Sequence, residues 1–163
     1  MTNEEKQLLL KDLCGRLPYG VMLDTPNGNK PLLALVSSKS YNTIIEYDDY
    51  HENEDDKSEW EGGDVELIKP YLRPMSSMTE EEFEDLNKQV GHKLERDKGE
   101  ITNCSRGFGD GWECLDIIDM HNVIDWLNAN CFDYRGLIPK GLALAAIDGM
   151  YNYKSQEYGQ SRL

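Results

Sequence analysis

Residues 116–146, DIIDMHNVIDWLNANCFDYRGLIPKGLALAA, constrain the fold more than any other stretch. Ile117, Met120, Ile124, Leu127 and Cys131 recur at spacings of three and four, which places five apolar side chains along one helical stripe. Val123 and Trp126 broaden that stripe, so the spacing predicts a helix buried on this face. Beyond it, Phe132, Leu137, Ile138, Leu142 and Leu144 keep the apolar density high, but Gly136, Pro139 and Gly141 interrupt any continuous helix. The expectation is a tight corner folded back onto the core.

The preceding chain must supply that core's other walls. Thr2 and Glu5 have capping-box spacing, and Leu10, Leu13 and Leu17 follow at helical intervals, predicting a helix over about 3–14 that stops at Gly15. From Tyr19 the apolar runs GVMLD and KPLLALV flank Asn27-Gly28, the pair that best tolerates the positive φ of a hairpin turn. Pro31 places the start of the second strand at an edge or after a bulge. YNTIIEY reads as a third strand and Val65 to Ile68 as another, after which Pro70 and Pro74 lead the chain away. Thr79 and Glu82 form a second capping box, with Met78 and Phe83 as its hydrophobic staple. Phe83, Leu86, Val90 and Leu94 carry a helix to about residue 95, and a short strand follows near Glu100 to Asn103.

Strands first and helices after predict an α+β fold. A small, bent antiparallel sheet over 19–69, its closure into a barrel left open, is joined by a mainly helical half over 79–146. The 163 residues suffice for one domain, spanning 1–153, that buries roughly 70% of its unfolded surface, with a polar tail at 154–163. Order is expected to fade beyond Tyr153.

Charge is the second constraint. The chain has 17 basic and 31 acidic side chains, a net charge of −14, and residues 46–66 hold eleven acidic side chains against one basic, which is −10 of that total. Direct nucleic-acid binding is disfavoured, because no general phosphate-neutralising field exists. The acidic run is either a solvated loop or a surface that competes for a basic partner through Glu52, Glu54, Asp55 and Asp56. A calcium loop is not expected, since no Asp-led window has glycine at its sixth position. MTNEEKQLLL is not a secretory signal and no run approaches a membrane span, so no membrane partner is expected. Cys14, Cys104, Cys114 and Cys131, with no CxxC spacing, fit reduced thiols in a cytoplasmic protein.

Candidate chemistry is sparse. GFGDG lacks the Lys-Ser/Thr of a phosphate loop, and a turn is expected there. Of the histidines His51, His92 and His121, the last has Asp125 one turn away, a spacing that more often marks a solvated contact than a base and its orienter. Cys104, Cys114, His121 and Cys131 match no compact zinc spacing. No catalytic residue, cofactor or metal ligand is assigned. The candidate ligand set is Tyr71, Arg73, Asp133, Tyr134 and Arg135, where guanidinium groups beside aromatic residues suit stacking and bidentate capture of carboxylate or phosphate. The structural alternative is Arg135 paired with Asp133 or capping the end of the main helix.

The strings IKPYLRPMSSMTEEE and DWLNANCFDYRGLIPKGLALAA, within 68–82 and 125–151, resemble a family of small proteins encoded by phages and prophages of gut bacteria. The resemblance implies a protein at work in the bacterial host cell and no particular activity. The expected function is a non-enzymatic interaction protein acting on a host process, by acidic mimicry toward a basic nucleic-acid-binding protein or by ligand sequestration. A nucleotide-binding or nucleotide-processing enzyme using Arg73 or Arg135, and a virion component, stand as alternatives; oligomeric state is left open.

Overall fold

A computed structural model of the chain describes residues 1–36, 44–47, 62–90, 94–97, 100–102, 105–106, 112–113 and 117–151. Helix α1 (Asn3–Arg16) begins with the expected capping box: Thr2 accepts the Glu5 amide at 3.2 Å and donates its own amide to the Glu5 carboxylate at 2.7 Å. That amide is the main cause holding the Glu5 carboxyl below its ordinary value. The buried stripe differs from the leucine spacing, for it comprises Leu9, Asp12, Leu13 and Arg16, with Leu10 and Leu17 half-buried. Gly15 does not end the helix. A Cβ there would lie 3.0 Å from the Asn128 side-chain amide, so Gly15 permits close approach between α1 and the main helix.

Strands β1 (Met22–Thr25) and β2 (Gly28–Val36) form the expected hairpin, centred one residue earlier than Asn27-Gly28. Pro26 and Asn27 occupy the turn, and Gly28 takes the positive φ, 99°, where β2 begins. Proline's fixed φ suits the first of these positions. β3 (Ile44–Tyr47) pairs with β2 across an irregularity between Leu32 and Ala34, and β4 (Gly62–Asp64) pairs with β3. Val65–Leu67, expected in a strand, is a single 3₁₀ turn capped by the Asp64 carboxylate. The strand is instead β5 (Lys69–Leu72), which includes Pro70 and pairs antiparallel with β1. Pro70 is tolerated because it precedes Tyr71 and Leu72, the two residues paired on the strand's other side.

Helix α2 (Glu80–Val90) stops earlier than residue 95. Leu94 still packs with Leu86 and Val90, but its amide donates to Asn87 Oδ1 at 2.6 Å. Two short antiparallel strand pairs follow, β6 (Glu95–Asp97) with β7 (Glu100–Thr102) and β8 (Ser105–Arg106) with β9 (Trp112–Glu113). Helix α3 (Ile117–Ala129) buries Trp126, Leu127 and Asn128, whereas Met120 is 50% exposed and Ile118 66%. The expected stripe therefore holds only in the C-terminal half of α3.

That half ends in a Schellman motif. The Phe132 amide reaches the Leu127 carbonyl at 2.9 Å and the Cys131 amide the Asn128 carbonyl at 3.1 Å, with Cys131 at φ 56°, where glycine is usual. The chain then turns through 133–142, the expected apolar corner, and returns as β10 (Leu144–Ala145), parallel to β5. The sheet order is β10-β5-β1-β2-β3-β4. The fold is thus α+β, with a sheet that is open rather than barrel-like and mixed rather than wholly antiparallel, because its last strand arrives from the far end of the chain.

Two apolar clusters hold these parts. Leu9, Leu13, Val21, Leu23, Leu32, Val65, Ile68 and Leu72 share one with Cys131 and the corner residues Leu137, Leu142 and Ala143. Met78, Leu86, Val90, Leu94, Trp126, Leu127 and Phe132 form the other, in which α2 packs on α3, while α3 also packs against α1. The clusters adjoin at Cys131 and Phe132.

The seam between β1 and β5 contains an inserted hydroxyl. Their register, Asp24↔Lys69 and Leu23↔Pro70, brings Met22 opposite Tyr71 next. Leu32 donates to the Val21 carbonyl, so odd-numbered residues of β1 face β2 and Met22 faces β5. At that position Met22 donates its amide to the Tyr151 hydroxyl at 2.9 Å, and the hydroxyl donates to the Tyr71 carbonyl at 2.9 Å. A phenol from the C-terminal region thereby replaces one rung of the ladder.

Candidate functional site

Past Leu72 the extended path of β5 continues to Arg73, which clasps the exit of α3. The Arg73 amide donates to the Cys131 carbonyl and the Asp133 amide donates to the Arg73 carbonyl, both at 2.8 Å. This bridge brings Arg73 to the bend that carries Asp133, Tyr134 and Arg135, where Asp12 and Arg16 of α1 also converge.

Arg73 lies 4.2 Å above the Phe132 ring and forks onto Glu82 at 2.7 and 3.0 Å. Glu82 is the acidic member of the second capping box, where Thr79 and Glu82 bond reciprocally. Burial pushes the Glu82 carboxyl up, but the Arg73 fork and the Thr79 amide outweigh it and hold the group below its ordinary value. Met78 and Phe83, the expected staple pair, both join the second apolar cluster. Arg96 covers Phe83 at 5.2 Å, donates to the Met78 carbonyl and pairs with Glu80.

Asp12 and Arg16, one helical turn apart and without solvent exposure, pair through two hydrogen bonds of 2.7 and 3.0 Å. Arg16 also donates to the Phe132 carbonyl at 2.8 Å, locking α1 to the bend. Arg135 approaches the same carboxylate, its Nε 3.4 Å from Asp12 Oδ1 but without hydrogen-bond geometry. It pairs with neither Asp133 nor the helix end. The Tyr134 ring lies against both guanidinium groups, 5.5 Å from Arg16 and 4.9 Å from Arg135, and its hydroxyl donates to Asn128.

Asp133 accepts the Leu137 and Ile138 amides at 2.7 and 2.8 Å and so shapes the corner, while Tyr71 donates its hydroxyl to Asn29. Cys131 sits against Tyr151, and burial pushes its thiol up to about 11. Burial, reinforced by Cys131, also pushes the Tyr151 phenol far above its ordinary range, which keeps the proton that it donates to Tyr71.

Asp133, Tyr134 and Arg135 follow one another through the bend and Arg73 is joined to it by backbone hydrogen bonds, whereas the Tyr71 side chain is directed to Asn29; Arg73, Asp133, Tyr71 and Tyr134 each have an intramolecular hydrogen-bond partner. Sequence reasoning missed Asp12, Arg16 and Glu82 as their partners. The i,i+4 spacing of Asp12 and Arg16 was the available signal, hidden by the assumption that a buried stripe is apolar. His121 and Asp125 make an exposed contact of 3.3 Å, as a solvated pair would. Cys14 is exposed and Cys131 buried. Among the described residues no group of three or more His, Cys, Asp or Glu is placed to hold a metal ion, and no helix is long and apolar enough to cross a membrane. Glu52, Glu54, Asp55 and Asp56, the GFGDG turn, Cys104, Cys114, His51, His92 and the tail from 152 lie outside the described residues. Comparison with protein-family models, curated proteins and solved structures gave no match.

Proposed function

We propose that this chain is a non-enzymatic interaction protein that presents its acidic segment to a basic nucleic-acid-binding protein of the host cell. The observation that carries this is the placement of −10 of the net −14 within residues 46–66. The topology supports it: β3 and β4, which flank residues 48–61, stand at the opposite end of the sheet order from β5 and β10, where the arginine cluster lies. A phosphate-clamping enzyme using Arg73 is less well supported, because Arg73 is committed to Glu82. The resemblance of 68–82 and 125–151 to phage-encoded proteins supports a host process as the target.

The test is capture of a partner from host lysate, followed by association kinetics with a variant in which Glu52, Glu54, Asp55 and Asp56 are changed to amides. Association with the wild type should slow with added salt, since the Debye length is about 8 Å at 0.15 M, and should slow further in the amide variant. Equal rates for the two proteins refute acidic mimicry. Loss of binding in Arg135→Ala alone would favour ligand sequestration instead.

A further inference from the structure

We propose that Arg16 and Arg135, side by side against Tyr134, form a receiving site for one small oxyanion, a phosphate or carboxylate group. The two guanidinium groups converge on a single atom, Asp12 Oδ1, at 3.0 Å from Arg16 Nη2 and 3.4 Å from Arg135 Nε. They also share one aromatic ring. Two cations on one carboxylate leave a surplus positive charge at a point where Asp12 and Arg16 have no contact with solvent.

Among the described residues, no further carboxylate pairs with either guanidinium group. The Arg16 fork already satisfies Asp12, and Asp133, the carboxylate nearest in sequence, is occupied by the Leu137 and Ile138 amides. Among the described residues, the buried side-chain nitrogens without a hydrogen-bond partner are Nη1 of Arg16 and Nε of Arg135, and both belong to this cluster. A buried N–H without an acceptor is costly, and more so when charged, so two at one place mark a position where an acceptor belongs.

The geometry selects the acceptor's class. A planar guanidinium offers paired N–H groups that match two oxygens of a carboxylate or phosphate, and stacking on a ring fixes its plane. Arg135 is the movable member: its side chain is 32% exposed, and its approach to Asp12 lacks hydrogen-bond geometry. Arg135 can reorient without breaking the Asp12–Arg16 pair, which is held by two hydrogen bonds of its own. The site shares no residue with the acidic segment, so it stands or falls separately from the partner-binding proposal.

The test uses the full chain in thermal unfolding titrations with sodium phosphate and with sodium acetate, at ionic strength held constant with sodium chloride. A saturable rise in Tm is expected with at least one of them, and the stronger assigns phosphate or carboxylate chemistry. Arg135→Gln, a change at a partly exposed side chain, should weaken the apparent Kd by at least about tenfold, as loss of a charge-assisted bond requires. Arg96→Gln, in the Glu80 contact outside the site, should leave it unchanged. A non-saturable rise, or the same titration in Arg135→Gln, overturns the proposal. A crystal grown in phosphate and acetate keeps it testable if Arg135→Gln does not fold: density for an oxyanion between the two arginines upholds it, and an ordered water alone overturns it.

Discussion

Tyr151→Phe removes one oxygen atom and retains the ring, so it isolates the hydroxyl that stands in for a rung between β1 and β5. In the wild type that hydroxyl accepts the Met22 amide and donates to the Tyr71 carbonyl, each at 2.9 Å. Two hydrogen bonds are lost, and at roughly 0.5–1.5 kcal/mol net apiece the loss is about 1–3 kcal/mol. The partly buried setting favours the upper part of that range, because both backbone groups are left facing a phenyl edge. For a chain of this length each kcal/mol corresponds to roughly 2–4 °C in Tm. The assay is urea unfolding of both proteins, with hydrogen exchange at the Met22 amide as a local reporter. Expected are a lower midpoint at unchanged slope and faster exchange at Met22 than at Leu32, whose bond to the Val21 carbonyl is independent of Tyr151. An unchanged midpoint together with undiminished Met22 protection would refute the rung, since it would mean that the strands bond directly once the hydroxyl is gone.

Leu127→Ala should cost about 2–5 kcal/mol, because Leu127 is buried in the second cluster, whereas Met120→Ala, half exposed, should stay within about 0.5 kcal/mol; equal urea midpoints would mean that α3 is turned otherwise. Glu82 has a folded pKa below its unfolded value, so its pair with Arg73 contributes fully above the unfolded value, about 4.3, and its contribution is lost as pH falls through the folded value. Between pH 5 and 3 the stability of Glu82→Gln should therefore fall less steeply than that of the wild type, by up to about 1.4 kcal/mol per pH unit, and parallel curves would contradict the depressed value.

Local chemistry made the element starts legible and left their partners hidden. The two capping boxes, the hairpin near Asn27 and the corner after Phe132 depend on residues within about six positions of one another, and each is where the sequence places it. β10 was not legible: two residues pair with β5 only because the 133–142 bend returns them to it, a tertiary outcome that no alternation encodes. The same limit misplaced the strand at 65–68. Val65 to Ile68 has β-forming side chains, but its Asp64 cap favours a turn, and the Pro-containing stretch after it fits the ladder because its missing amide lies beyond the pairing of β10.

The arginines show the converse. Their stacking on aromatic residues could be anticipated from adjacency in sequence, as Tyr134 beside Arg135 illustrates, but what they bind is fixed by chain geometry over long separations. Arg73 takes its carboxylate from a capping box nine residues on, and Arg16 takes a carbonyl 116 residues away. Charge and hydropathy alone assign Asp12 and Arg16 to the solvent side of α1, yet both are buried, where the fork between them and the bond to the Phe132 carbonyl offset part of the desolvation cost. Once that pair is closed, Arg135 is the cation left over. Among the described residues of a chain of net charge −14, Arg16 and Arg135 thus share one carboxylate, and that local excess of positive charge, rather than the overall composition, is what the oxyanion proposal rests on.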